Sequence, residues 1–127
     1  MTLVEQENWQ QTRVAILEVE NDAIYLYSYP SDDQREMKSL WVANSKKRLF
    51  KKSNIKKDLD KGLPPYLPHE FCNDHGYVVD FNNENDWRLQ WGLDQNSIAV
   101  WFKGEIVAIM PEWSGVNGFY GYSIGVI

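Results

Sequence analysis

The clearest hairpin signal in the chain lies between Ile98 and Met110. There two β-branched, aromatic and apolar runs, Ile98–Phe102 and Glu105–Met110, are separated by Lys103-Gly104 alone. Runs of this composition flanking a two-residue connection predict a β-hairpin with a tight turn. Just upstream, Trp87 to Leu93 (WRLQWGL) is another strand-like run, with Trp87, Leu89 and Trp91 on one face and a short polar link, Asp94-Gln95-Asn96-Ser97, to Ile98. Residues 87 to 110 are therefore expected to form a three-stranded meander.

The first third of the chain carries the same signal. Arg13 to Glu20 (RVAILEVE) and Ala23 to Tyr29 (AIYLYSY) read as strands joined by Asn21-Asp22, residues that tolerate the left-handed conformation of a two-residue turn. Alternation puts Ile24 and Leu26 on one face, the expected core face, and Tyr25, Tyr27 and Tyr29 on the other, where they line a half-exposed surface or pack beneath a loop. Pro30 to Asp33 carries turn chemistry, and Met37 to Asn44 (MKSLWVAN) reads as a third strand.

Helical signals are local. Thr2-Leu3-Val4-Glu5 has the Thr-x-x-Glu form of a capping box and predicts a short helix through about Gln11. Ser53 can cap a second helix reaching Lys61, with Ile55 and Leu59 four residues apart, Gly62 at the stop and Pro64-Pro65 beyond it. Pro68 suits the first turn of a third, through about Asn73. Together these elements predict a single α+β domain over residues 1–127, with a mainly antiparallel sheet and two or three short helices.

A chain of 127 residues, 43% hydrophobic and 14% aromatic, suffices for one core. No apolar run has the length of a membrane span, and the opening MTLVEQENWQ lacks the basic start and apolar stretch of a signal peptide, so the cytoplasm is the expected compartment. The net charge of −5 conceals a basic segment, Lys46 to Lys57, that contains no acid. The rest of the surface is correspondingly more acidic, which disfavours nucleic acid as a general partner.

Three constellations could carry chemistry. His69, Cys72 and His75 have zinc-compatible side chains, but four ligands are wanted and no other Cys or His exists in the chain, so neither metal nor cofactor is expected. Cys72 with His69 three residues away could instead serve a small cysteine-dependent enzyme, although no glycine-flanked nucleophile accompanies them. The basic segment 46–57 interleaves Leu49, Phe50 and Ile55 with its charges, as a nucleic-acid accessory protein might require or as a solvated face would show. The six tryptophans divide: Trp41, Trp87, Trp91 and Trp101 sit in strand-like runs and are assigned to the core. Trp113, Phe119, Tyr120 and Tyr122 lie among Gly115, Gly118 and Gly121, in loop sequence suited either to anchoring a protein partner or to folding back on the sheet.

Several segments occur in the order seen in the suppressor of fused family. Trp41-Val42-Ala43-Asn44 resembles its Trp-Val-x-Asn piece; Gly62-Leu63-Pro64-Pro65-Tyr66-Leu67-Pro68 with Cys72 resembles its Gly-Leu-x-Pro-x-Leu-Pro piece and nearby Cys. Ile109-Met110-Pro111-Glu112-Trp113-Ser114-Gly115, with Gly118-Phe119 and Gly121-Tyr122, is similar to its Ile-Pro-x-Trp-Ser-Gly, Gly-Phe and Gly-Tyr pieces. Two departures stand out: Ala43 replaces an Arg common in bacterial relatives, and the charged continuation after Gly-Tyr is absent, so the end at Ile127 is expected to be the cut edge of a longer domain. The resemblance implies a non-enzymatic protein-binding domain. Bacterial members are proposed to be immunity proteins that neutralise a toxin, which here makes sequestration of a protein partner by occlusion the expected function.

Overall fold

The computed structural model describes residues 1–20, 23–44, 83–112 and 121–123. Eight strands account for most of them: β1 Thr2–Glu7, β2 Arg13–Glu20, β3 Ala23–Pro30, β4 Lys38–Asn44, β5 Trp87–Trp91, β6 Ile98–Phe102, β7 Glu105–Met110 and β8 Tyr122–Ser123. They form two antiparallel four-stranded meanders, β1-β2-β3-β4 and β5-β6-β7-β8. Alternation turns Ala15 and Leu17 of β2 and Ile24 and Leu26 of β3 into the same buried cluster as Trp87 and Leu89 of β5, Ile98 and Val100 of β6 and Met110 of β7. One core therefore joins the two sheets, each large side chain in it contributing about 1.5–3 kcal/mol by leaving water. At the margins β1 runs beside β5, and β4 beside β7 and β8.

This architecture corrects the α+β expectation. Among the described residues the helical pieces are two three-residue 3-10 turns, Gln34–Glu36 and Glu84–Asp86, and the fold is a β structure of two packed sheets. The helix expected from Thr2 to Gln11 is instead β1 followed by a turn. Thr2 donates its hydroxyl across the strand pair to the Glu18 carboxylate rather than capping a helix, while Leu3 enters the core and Val4 packs against it. Long-range pairing with β2 overrides the local capping signal. The helices expected at Ser53 to Lys61 and Pro68 to Asn73 lie outside the described residues, as does the Asn21-Asp22 turn. No helix among the described residues is long and apolar enough to cross a membrane.

The strand expectations hold for β2, β3, β4 and the meander β5-β6-β7. Both faces of β3 are covered: Ile24 and Leu26 meet the main core, and Tyr25 joins Ala23 and Trp41 in a second buried cluster against which Tyr27 packs. Tyr27 donates its hydroxyl to Glu20 at 2.9 Å, and burial together with that bond pushes its phenol far above the usual range. Lys103 and Gly104 make the β6–β7 turn with φ of 49° and 82°, the two positive values of a type I′ turn. Lysine bears a steric cost there that Asn largely escapes. Lys103→Asn is accordingly expected to raise the unfolding free energy by about 0.5 kcal/mol in urea titration; an unchanged or lower midpoint would count against the turn assignment.

Candidate functional site

The outward face of the second sheet is unusually apolar. Register places Gln90, Ala99, Ile109 and Tyr122 side by side across β5, β6, β7 and β8, and sets Arg88, Trp101 and Ile106 in a second row. Ile109 is 42% exposed and Tyr122 59%, and Ile106 also reaches solvent. A bulge in β7 creates this face. Val100 pairs with Ala108 but Trp101 with Ile106, so Val107 is the extra residue. The break in alternation leaves Val107 and Ala108, adjacent in sequence, both buried, while Ile106 and Ile109 both point away from the core.

At the Arg88 end of the face three side chains contact one another. The Arg88 guanidinium lies 4.8 Å from the ring centre of Trp101, and the Trp101 indole N–H donates to Gln90 Oε1 at 2.8 Å. A cation over an indole at an exposed site contributes about 0.5–1 kcal/mol, which biases these side chains toward the stacked arrangement. Trp101 is therefore a surface ring and not the core residue its strand position suggests. Trp41 and Trp87 are buried as expected, and Trp91 is partly buried against the core.

A pocket of about 200 Å³ indents this face beside the β5–β6 turn, lined by Gln90, Ala99 and Ile109 with Gly92 and Ser97 of the turn. The turn is set by Asp94, whose carboxylate accepts from the Ser97 hydroxyl at 2.5 Å and from the Ser97 and Asn96 amides at 2.8 and 2.9 Å. The Ser97 side-chain and backbone bonds, with the Asn96 amide, hold the Asp94 carboxyl below its ordinary pKa. A depressed folded-state pKa contributes stability that is present above the unfolded value and lost as pH falls through the folded one, so the turn loosens only in acid.

Of the four ring residues predicted to anchor a partner, Tyr122 is on this face, paired with Ile109. Trp113, Phe119 and Tyr120 lie outside the described residues, as do Cys72, His69, His75 and the basic segment 46–57. Ile106, Ile109, Trp101 and Arg88 were not singled out from sequence, because each belongs to an ordinary strand pattern until the bulge and the cross-strand register are known. A comparison of the chain with family models, with curated proteins and with solved structures finds no match.

Proposed function

We propose that the chain is a non-catalytic protein-binding domain that holds its partner on the outward face of β5-β6-β7-β8. The observation that carries this reading is the exposed apolar patch of Ile106, Ile109 and Tyr122 beside the Arg88–Trp101 stack. Aromatic and Arg anchors surrounded by aliphatic area are the usual make-up of a protein interface. The segments resembling the suppressor of fused family support sequestration, with a toxin domain in the cytoplasm as the partner. The net charge of −5 favours a basic partner through long-range steering.

Coupled binding and stability measurements test the reading. A partner captured with the wild-type chain is titrated against Tyr122→Ala and Ile109→Ser, and the same variants are unfolded in urea. Tyr122→Ala is expected to weaken binding by about 2 kcal/mol, the scale of an interface anchor. Its unfolding free energy should change by about 0.5 kcal/mol or less, as is usual for exposed positions. Full affinity in both variants would remove this face from the interface.

A further inference from the structure

A second concavity lies along the margin where β1 meets β5, and it shares Arg88 and Gln90 with the edge of the face described above. It is a cleft of about 570 Å³, within the size range of small-molecule sites. Its side is formed by Leu89 and Trp91 of β5, and Trp9 and Leu93 stand at the tips of the flanking turns. Trp9 is 85% exposed and Leu93 is fully exposed. The two turns that carry these side chains are joined to each other by hydrogen bonds.

The joining residue is Asn8, only 2% exposed. Its Nδ2 donates to Thr12 Oγ1 and to the Gln95 carbonyl, both at 2.9 Å, and its Oδ1 accepts from the Thr12 and Arg13 amides at 2.8 and 3.2 Å. Gln95 in turn accepts from the Gln10 amide on its side-chain oxygen at 3.3 Å. The β1–β2 turn of one sheet and the β5–β6 turn of the other are thereby clasped together, and the Trp9 ring is held out beside the cleft on a fixed backbone.

The polar lining has a consistent chemistry. Gln6, Glu7, Arg88, Gln90 and Gln95 all carry planar groups with paired donor or acceptor atoms. Glu7 and Arg88 balance in charge, so the cleft has no surplus that would select an anion or a cation. Several of these groups are already positioned with capacity to spare. Gln90 uses its oxygen on Trp101 and keeps its amide N–H pair, and Glu7 accepts from the Ser31 hydroxyl at 3.3 Å on one oxygen and keeps the other. Arg88 is stacked on Trp101 with its N–H groups making no hydrogen bond among the described residues.

We propose that this cleft is a binding site for a neutral saccharide, with a sugar ring stacked on Trp9 and its hydroxyls shared among Gln6, Glu7, Arg88 and Gln90. A pyranose presents a C–H face that packs on an indole and a rim of vicinal hydroxyls that each donate and accept, which is the complement of an exposed ring beside planar amide, carboxylate and guanidinium groups. A nucleotide would require a positive surplus. A hydrophobic peptide anchor would require a closed apolar pocket, whereas this cleft is open and carries polar groups on Gln6, Glu7, Arg88, Gln90 and Gln95.

Protein-observed NMR with maltotriose, cellotriose, chitotriose and xylotriose, each at millimolar concentration, tests the proposal on the full chain. At least one of the four is expected to shift the Trp9 indole signal and the amides of residues 8–12 and 92–97. Trp9→Ala, at a position that contributes nothing to the core, is expected to weaken that binding about tenfold or more while leaving the unfolding midpoint unchanged. Gln6→Ala should weaken it by a smaller factor. Binding by none of the four sugars overturns the proposal, and so does binding that survives Trp9→Ala or that shifts only signals away from the cleft.

Discussion

Asn8→Ala is expected to lower the unfolding free energy by about 3 kcal/mol, a large share of the stability of a small domain. The reason is the number of groups that depend on one buried amide. Removing it leaves the Thr12 and Arg13 backbone N–H groups and the Gln95 carbonyl without their side-chain partner. Each buried backbone group left unsatisfied costs about 1–3 kcal/mol, reduced where water can enter. The backbone here also carries two positive-φ residues outside glycine, Gln11 at 58° and Gln95 at 64°, whose strain is sustained by the same hydrogen-bonded clasp. Asn8→Asp is the informative companion, since it keeps an acceptor for the two amides but turns a carboxylate oxygen toward the Gln95 carbonyl in a buried site. It should be at least as damaging as alanine at neutral pH. Urea unfolding followed by far-UV circular dichroism measures both variants, and a loss of less than about 1 kcal/mol for Asn8→Ala would mean that the two turns do not depend on the clasp.

The clasp could not be read from the sequence, and the reason is instructive. Asn8 follows Thr2-Leu3-Val4-Glu5-Gln6-Glu7, a stretch with adjacent apolar residues and then three exposed polar ones. The bulge between Thr2 and Val4 breaks the period of two, and an edge strand that pairs on one side has little else to betray it. The capping-box pattern then speaks for a helix that tertiary pairing does not allow. By contrast β2, β3 and the meander β5-β6-β7 were legible because they are β-branched, aromatic and apolar runs joined by short polar links. Lys103-Gly104 makes the two-residue connection that its composition implies. Of the two arrangements expected for Tyr25, Tyr27 and Tyr29, the half-exposed surface does not hold for Tyr25 and Tyr29, which are buried, since the number of layers packed on a sheet is not encoded in its own period.

The candidate face was legible only at Tyr122. Glycine-rich aromatic sequence drew attention to it, whereas Ile109 was hidden by strict alternation, which pairs it with the buried Val107. One inserted residue in β7 separates the two, and nothing in Glu105–Met110 marks where that insertion falls. Trp101 misled for a related reason: its strand position suggested the core, and only the register with Arg88 and Ile106 assigns it to the outside.

Gly121→Ala should prove about as costly as the loss of Asn8, near 3 kcal/mol, and for a reason that ties stability to the proposed interface. Gly121 has φ of 153°, within the region that favours glycine, and a Cβ there would collide with the Ile109 carbonyl oxygen and press on Met110 Cα and Leu40 Cδ2, each at 3.1 Å. Two of those three neighbours are backbone atoms of β7 and cannot turn aside as a flexible side chain would. The close approach exists because β8, the edge strand of its sheet, runs against both β7 and β4. It pairs with β7 through Ala108–Ser123 and Ile109–Tyr122, and the Ser123 hydroxyl donates to the Val42 carbonyl of β4 at 2.6 Å. Pushing β8 outward would weaken this bridge and carry Tyr122 away from Ile109. Gly121→Ala is therefore expected to lose partner binding together with stability, in contrast to Tyr122→Ala, which should lose binding alone. Amide hydrogen exchange at Ser123 and Ile109 reads the local opening, and urea unfolding reads the global cost. Unchanged exchange and an unchanged midpoint in Gly121→Ala would show that β8 tolerates a side chain and that the contact with the Ile109 carbonyl is not what holds the strand in place.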